Sequence, residues 1–134
     1  MQEGVISFET AKLAKDKGFN EISDEHFLLI PALDKDVEIK RCEFKTNEGL
    51  NLYYNNIKIW TFCSRPTQTL LQKWLRELRT PIVVTPVTDF VAWEVEIDHP
   101  DKGTIIVAKN HEDKWFNSYE EALEIGLQEG LKLI

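Results

Sequence analysis

Pro66-Thr67-Gln68-Thr69-Leu70-Leu71-Gln72-Lys73-Trp74-Leu75-Arg76-Glu77-Leu78-Arg79-Thr80-Pro81 carries the clearest structural signal in the chain. Leu70, Leu71, Trp74, Leu75 and Leu78 recur at the spacing of one helix face, and Gln68, Gln72, Lys73, Arg76 and Arg79 take the rest. Pro66 suits the first helical turn, and Pro81 cannot continue a helix. Burying five large apolar side chains at about 1.5–3 kcal/mol each makes this the main core helix, with Trp74 at the centre of its contact with a sheet.

The elements on either side of this helix say what that sheet is. Downstream, Ile82-Val83-Val84 reads as a strand that Pro86 confines to an edge or interrupts. Val91, Trp93, Val95 and Ile97 alternate with Ala92, Glu94, Glu96 and Asp98, as in a strand with one face inward. Pro100-Asp101-Lys102-Gly103 is a turn, and Thr104-Ile105-Ile106-Val107 returns from it. The last helix opens with a capping box, Ser118 with Glu121, and lines Tyr119, Ala122, Leu123, Leu127, Leu131 and Ile134 along one face. Gly126 and Gly130 lie among them. Each costs about 1 kcal/mol against Ala, so a neighbour is expected to approach closely there.

Upstream, the stretch 19–63 reads as a meander of short strands around Phe27–Ile30, Val37–Lys40, Leu50–Tyr53 and Ile57–Phe62. Turns are expected at Asn47-Glu48-Gly49 and Asn55-Asn56. The first helix, 8–17, begins at the cap Ser7, is stapled by Ile6 onto Ala11, and ends at Gly18. The expected fold is α+β: one antiparallel sheet of about five to seven strands, two main amphipathic helices packed on it and a short N-terminal helix, in a single domain over 1–134.

Composition limits the function classes. A chain of 134 residues with 43% hydrophobic and 29% charged residues is long enough to bury a core and too apolar for disorder. No apolar run reaches the roughly 20 residues of a membrane span, and the opening Met1-Gln2-Glu3-Gly4 is unlike a secretory signal. No membrane partner is expected. Cys42 and Cys63 are too few and too isolated for a disulfide scaffold or a zinc site, so both are expected as small buried hydrophobes in a reducing cytoplasm, with an inter-strand bridge the alternative. The net charge of −7 disfavours general nucleic-acid binding. Residues 89–129 hold eleven acids against three lysines, a balance of −8, whereas 65–79 carry +3.

Three segments together resemble a known group: Ser7-Phe8-Glu9-Thr10-Ala11-Lys12-Leu13-Ala14-Lys15 with Gly18-Phe19, the run Pro66–Glu77, and Tyr119–Ile134. Their order and spacing are similar to those of small uncharacterised proteins carried by phages and prophages of Bacteroidetes, over about 40 of the 134 residues. That group has no assigned activity. The resemblance therefore implies a genomic setting and the cytoplasm of a bacterial host, and it assigns no catalytic or binding residue.

Candidate chemistry is sparse. His26, His99 and His111 each adjoin acids, the raw material of metal ligation or acid–base catalysis, but none has a ligand spacing and all three read as loop residues. Ser64 follows Cys63 at a strand-to-helix junction, where a helix cap is expected before a nucleophile. No metal, cofactor or catalytic residue is expected. Glu94, Glu96 and Asp98 share one strand face and form the candidate binding surface, with a basic protein as the partner that fits it. The reading placed first is a non-catalytic, phage-associated binding protein, one form of which inhibits a host nucleic-acid-handling machine, since clustered carboxylates can imitate phosphates. The alternatives are a small enzyme using the histidine–acid loops, and a nucleic-acid accessory protein using the stripe Gln68, Gln72, Arg76 and Arg79.

Overall fold

The computed structural model of the protein describes residues 4–29, 38–48, 61–87 and 92–134, the side chains of 24, 28–29, 38–45 and 61–62 excepted. It is α+β and divides into two compact units, Val5–Pro66 and Thr67–Ile134, the second together with the segment before Val5.

In the first unit the local signals at the N-terminus act as expected. The Ser7 hydroxyl accepts from the Thr10 amide, opening α1 (Phe8–Asp16). Ile6 and Ala11 are both buried, and Gly18 turns out with φ 94° so that the Phe19 amide reaches the Ala14 carbonyl. Three antiparallel strands follow, β1 (Ser23–Leu29), β2 (Glu38–Lys45) and β3 (Thr61–Ser64), with β1 in the centre. Phe27 on β1 is buried and meets Phe8 edge-on at 5.3 Å. Asn47 ties this unit together from inside: its amide donates to the Phe19 carbonyl at 2.6 Å and its oxygen accepts from the Ser64 amide at 2.8 Å.

In the second unit Thr67, not Pro66, caps α2 (Gln68–Glu77), its hydroxyl accepting from the Leu70 amide. Pro66 stands just outside the helix. The chain leaves through Arg79, held at φ 65°, and enters an antiparallel meander of β4 (Ile82–Val87), β5 (Ala92–His99) and β6 (Gly103–Val107) in that spatial order. Helix α3 (Tyr119–Leu133), capped by Ser118, packs on β4 and β5 and against α2. Its buried stripe is Ala122, Leu123, Gly126, Leu127, Gly130 and Leu131. A Cβ on Gly126 would run into Val95 and stand 2.8 Å from an Ile82 methyl; one on Gly130 would stand 2.8 Å from the tip of Ile82. The close neighbour that the two glycines demanded is the sheet.

Four expectations need correction. The described strands form two sheets of three, not one sheet of five to seven, and α2 and α3 pack within the unit that holds the second sheet. The buried side of α2 runs through Gln68, Leu71 and Leu75, while Trp74 and Leu70 are half-buried and Leu78 is exposed. Trp74 is thus off the centre of the contact, because α2 presents the next row of its surface to α3. Strand β1 begins at Ser23, four residues ahead of the apolar run, since tertiary partners carry its polar start. Asn47 and Glu48 are helical rather than a turn. The expectations at Leu50–Tyr53, Asn55-Asn56 and 57–60 lie outside the described residues.

Candidate functional site

Alternation along β5 sorts its side chains between two environments. Val95 and Ile97 are fully buried beneath α3, whereas Glu94, Glu96 and Asp98 point from the opposite face. Register fixes their neighbours, since directly opposed residues of antiparallel strands share a face. Glu94 lies opposite Thr85 of β4, Glu96 between Val83 of β4 and Ile106 of β6, and Asp98 opposite Thr104 of β6. The outer face is therefore an acidic row along the middle strand, with Val83 (43% exposed) on one side and Ile106 (60% exposed) on the other. Ala92 departs from the expected alternation, being buried on the outer side. Val91 lies outside the described residues.

Electrostatics of the row are uncompensated. Among the described residues no lysine or arginine forms an ion pair with Glu94, Glu96 or Asp98. The Asp98 charge, a hydrogen bond shared with Asp98, lost hydration and the Glu94 charge together hold Glu96 above the ordinary carboxylate value. Thr104 donates its hydroxyl to Asp98 at 2.6 Å, fixing that carboxylate. The flanking residues Val83, Thr104 and Ile106 were not picked out from the sequence. Their signal is the β4–β5–β6 register, which only pairing supplies.

The polar stripe on α2 is divided by the fold. Gln68 is 4% exposed, and its amide donates to the Glu120 carbonyl and the Glu124 carboxylate of α3. The Gln72 amide donates to the Ile82 carbonyl at 2.7 Å. Both glutamines thus hold α2 to its neighbours, and only Arg76 and Arg79 of the four remain as exposed side chains. Gln68 is a correction: a half-apolar helix cannot announce which of its amides will satisfy a buried carbonyl.

The histidines do not share an environment. His26 is a fully buried residue of β1, opposite Ser64, which corrects its reading as a loop residue. His99 ends β5 and accepts at Nδ1 from the Asp101 and Lys102 amides at 3.1 and 3.0 Å, so it shapes the β5–β6 turn. His111 is exposed in a turn. Ser64 closes β3 rather than capping a helix, and its buried hydroxyl has no hydrogen-bond partner among the described residues. No three His, Cys, Asp or Glu side chains among the described residues gather as a metal would require. Cys63 is a free, fully buried thiol, so the bridge alternative does not hold for it; the side chain of Cys42 is outside the described residues. No helix among the described residues is long and apolar enough to cross a membrane.

No protein-family model, curated protein or solved structure matches the chain.

Proposed function

We propose that this chain is a non-catalytic binding protein that docks a basic protein partner on the outer face of β4–β5–β6, in the phage or prophage setting that its three helical segments suggest. The observation that carries this reading is the row Glu94–Glu96–Asp98, which meets no lysine or arginine in an ion pair among the described residues and whose crowding raises the Glu96 carboxyl above its ordinary value. Such a row raises the local concentration of cationic partners and repels nucleic acid. Val83 and Ile106 add the exposed apolar contact that a charged surface alone lacks. A host nucleic-acid-handling protein, with a basic groove made for phosphates, is the kind of target this surface suits, within the bacterial cytoplasm. The divided α2 stripe and the separately placed histidines give neither alternative a comparable surface.

The reading is tested by the double variant Glu94→Lys/Glu96→Lys. Both side chains lie on the outer face, so the circular dichroism spectrum and melting curve should stay close to those of the parent. Capture of basic proteins from host lysate should fall by at least about tenfold, and capture by the parent should weaken as salt shortens the screening length from about 8 Å toward about 3 Å at 1 M. Unchanged capture by the double variant overturns the proposal, as does micromolar DNA or RNA affinity that Arg76→Ala/Arg79→Ala removes.

A further inference from the structure

The two edges of the second sheet are finished differently. In an antiparallel strand the amide and carbonyl of one residue point to the same side, and the side alternates along the chain. The Asp98 amide donates to the Pro81 carbonyl, so the even-numbered residues of β5 address β4; the Trp93 amide donates to the Phe116 carbonyl, so the odd-numbered ones address the β6 side. Asp98 and Glu96 face Thr104 and Ile106 in the register. Those two residues of β6 therefore turn their own amides and carbonyls away from β5, to the open edge. Among the described residues no strand or side chain meets these groups.

On the opposite edge two of the three outward positions of β4 are blunted. The Ile82 carbonyl accepts from Gln72 of α2, and Pro86, which by the same alternation faces outward, has no amide hydrogen to offer. Edge strands are ordinarily blunted in such ways, by proline, charge or a covering side chain. Strand β6, Gly103-Thr104-Ile105-Ile106-Val107, carries no proline and no charge, and Ile106 is its most exposed large apolar side chain.

We infer that β6 is a strand-addition site, which takes an extended segment of the basic partner as the fourth strand of this sheet; the inference rests on the proposed docking of a basic partner and specifies how it binds. The chemistry of the segment follows from the register. Residues opposite Thr104 and Ile106 exchange both backbone hydrogen bonds with β6, and their side chains lie on the outer face. The acidic row is then two strand spacings away, about 10 Å, within reach of a lysine or arginine laid across β6. Thr104 is short enough to let a cation pass to Asp98, and the aliphatic stem of a second cation covers Ile106 on its way to Glu96. Alternate residues on the other face meet Ile105 and Val107, both half-buried, and are apolar. The partner segment is an extended run that alternates basic and apolar residues. A second copy of β6 supplies the backbone but no cation, so it does not complement the row.

A capped, fluorescently labelled peptide of alternating lysine and valine is the probe, read by anisotropy and by amide hydrogen exchange of the intact chain. Binding to the parent should slow exchange at the Thr104 and Ile106 amides specifically. Methylating the backbone nitrogens of the lysines, or making Ile106→Pro, should weaken binding by about tenfold or more, since each removes ladder hydrogen bonds. Proline at 106 removes only an outward amide, so the β5–β6 ladder keeps its bonds, and the methylated peptide leaves the protein untouched should that variant misfold. A glutamate–valine peptide should not bind. The inference is overturned if the lysine peptide fails to bind, if methylation is without effect, or if the 104 and 106 amides become protected with protein concentration alone. Methylation without effect but loss on Glu94→Lys/Glu96→Lys removes strand addition and keeps the acidic docking face; indifference to both changes removes both.

Discussion

The two faces of β5 are made by the same eight residues, yet they obey opposite rules. Inward, Val95 and Ile97 are sealed beneath a helix brought so close that a methyl group at Gly126 would run into Val95. Outward, three carboxylates stand side by side, paired with no lysine or arginine among the described residues, and apolar residues are exposed beside them. Inner residues are chosen for volume, where a methyl too many is felt; outer ones are chosen for charge, where fold stability is nearly indifferent and even gains if a charge is lost. A strand can therefore be evolved on one face without disturbing the other.

The largest effect belongs to the helical side of that contact. Leu75→Ala should destabilise the chain by about 2–5 kcal/mol, as emptying a fully buried leucine site does, whereas Trp74→Ala should cost less despite the larger side chain. Chemical denaturation of both variants checks this, and a greater loss at Trp74 would return α2 to the rotation its leucine spacing suggests. Next in size is the glycine pair. Gly126→Ala forces its methyl into the branched side chain of Val95 and should cost about 1–3 kcal/mol by overpacking. Gly130→Ala presses on the rotatable end of Ile82, with the Leu75 methyl at ordinary contact distance, and gains about 1 kcal/mol of helix propensity, so it should be near neutral. Equal losses in thermal melts would mean that the helix does not tilt toward β5 at Gly126.

The smallest effect lies outside. Glu96 holds its proton more tightly when folded than its ordinary value of 4.5, chiefly because of Asp98. A raised acid favours the folded state at low pH, and that contribution is lost as pH rises from about 4.5 through the raised value. Glu96→Gln should therefore flatten the decline in melting temperature over that window and leave the chain slightly more stable at neutral pH. A melting profile unchanged by the substitution would mean that the row is hydrated well enough to ignore its own crowding.

How much of this was legible before folding follows the same division. Strict alternation in Val95, Glu96, Ile97 and Asp98 announced both faces of β5, and Ser118 with Glu121 announced the start of α3. Gly126 and Gly130 announced a close neighbour, though not which one. Rotation of α2 was not legible, because Gln68 lies inward only to satisfy Glu120 and Glu124, a demand made by another helix. Strand β1 begins with Ser23, Asp24, Glu25 and His26, a polar stretch without strand periodicity. Its extension depends on partners far away in sequence, Arg65 pairing with Glu25 at 2.7 Å among them. The acidic row could be named residue by residue, but its apolar flanks and the bare edge at Thr104 and Ile106 are properties of strand order, which no single strand encodes.

Cys63 gives the first unit a built-in clock. Burial pushes its thiol up to about 12, against the pull of Lys15 and Lys12, so at neutral pH its thiolate is scarcer than that of an ordinary cysteine by about three orders of magnitude. A thiol-specific reagent can reach it only when the packing around this fully buried side chain opens. In a Cys42→Ser background and at saturating reagent the rate of labelling becomes the rate at which this half of the chain opens, read residue-specifically, without denaturant and without any knowledge of what the protein binds.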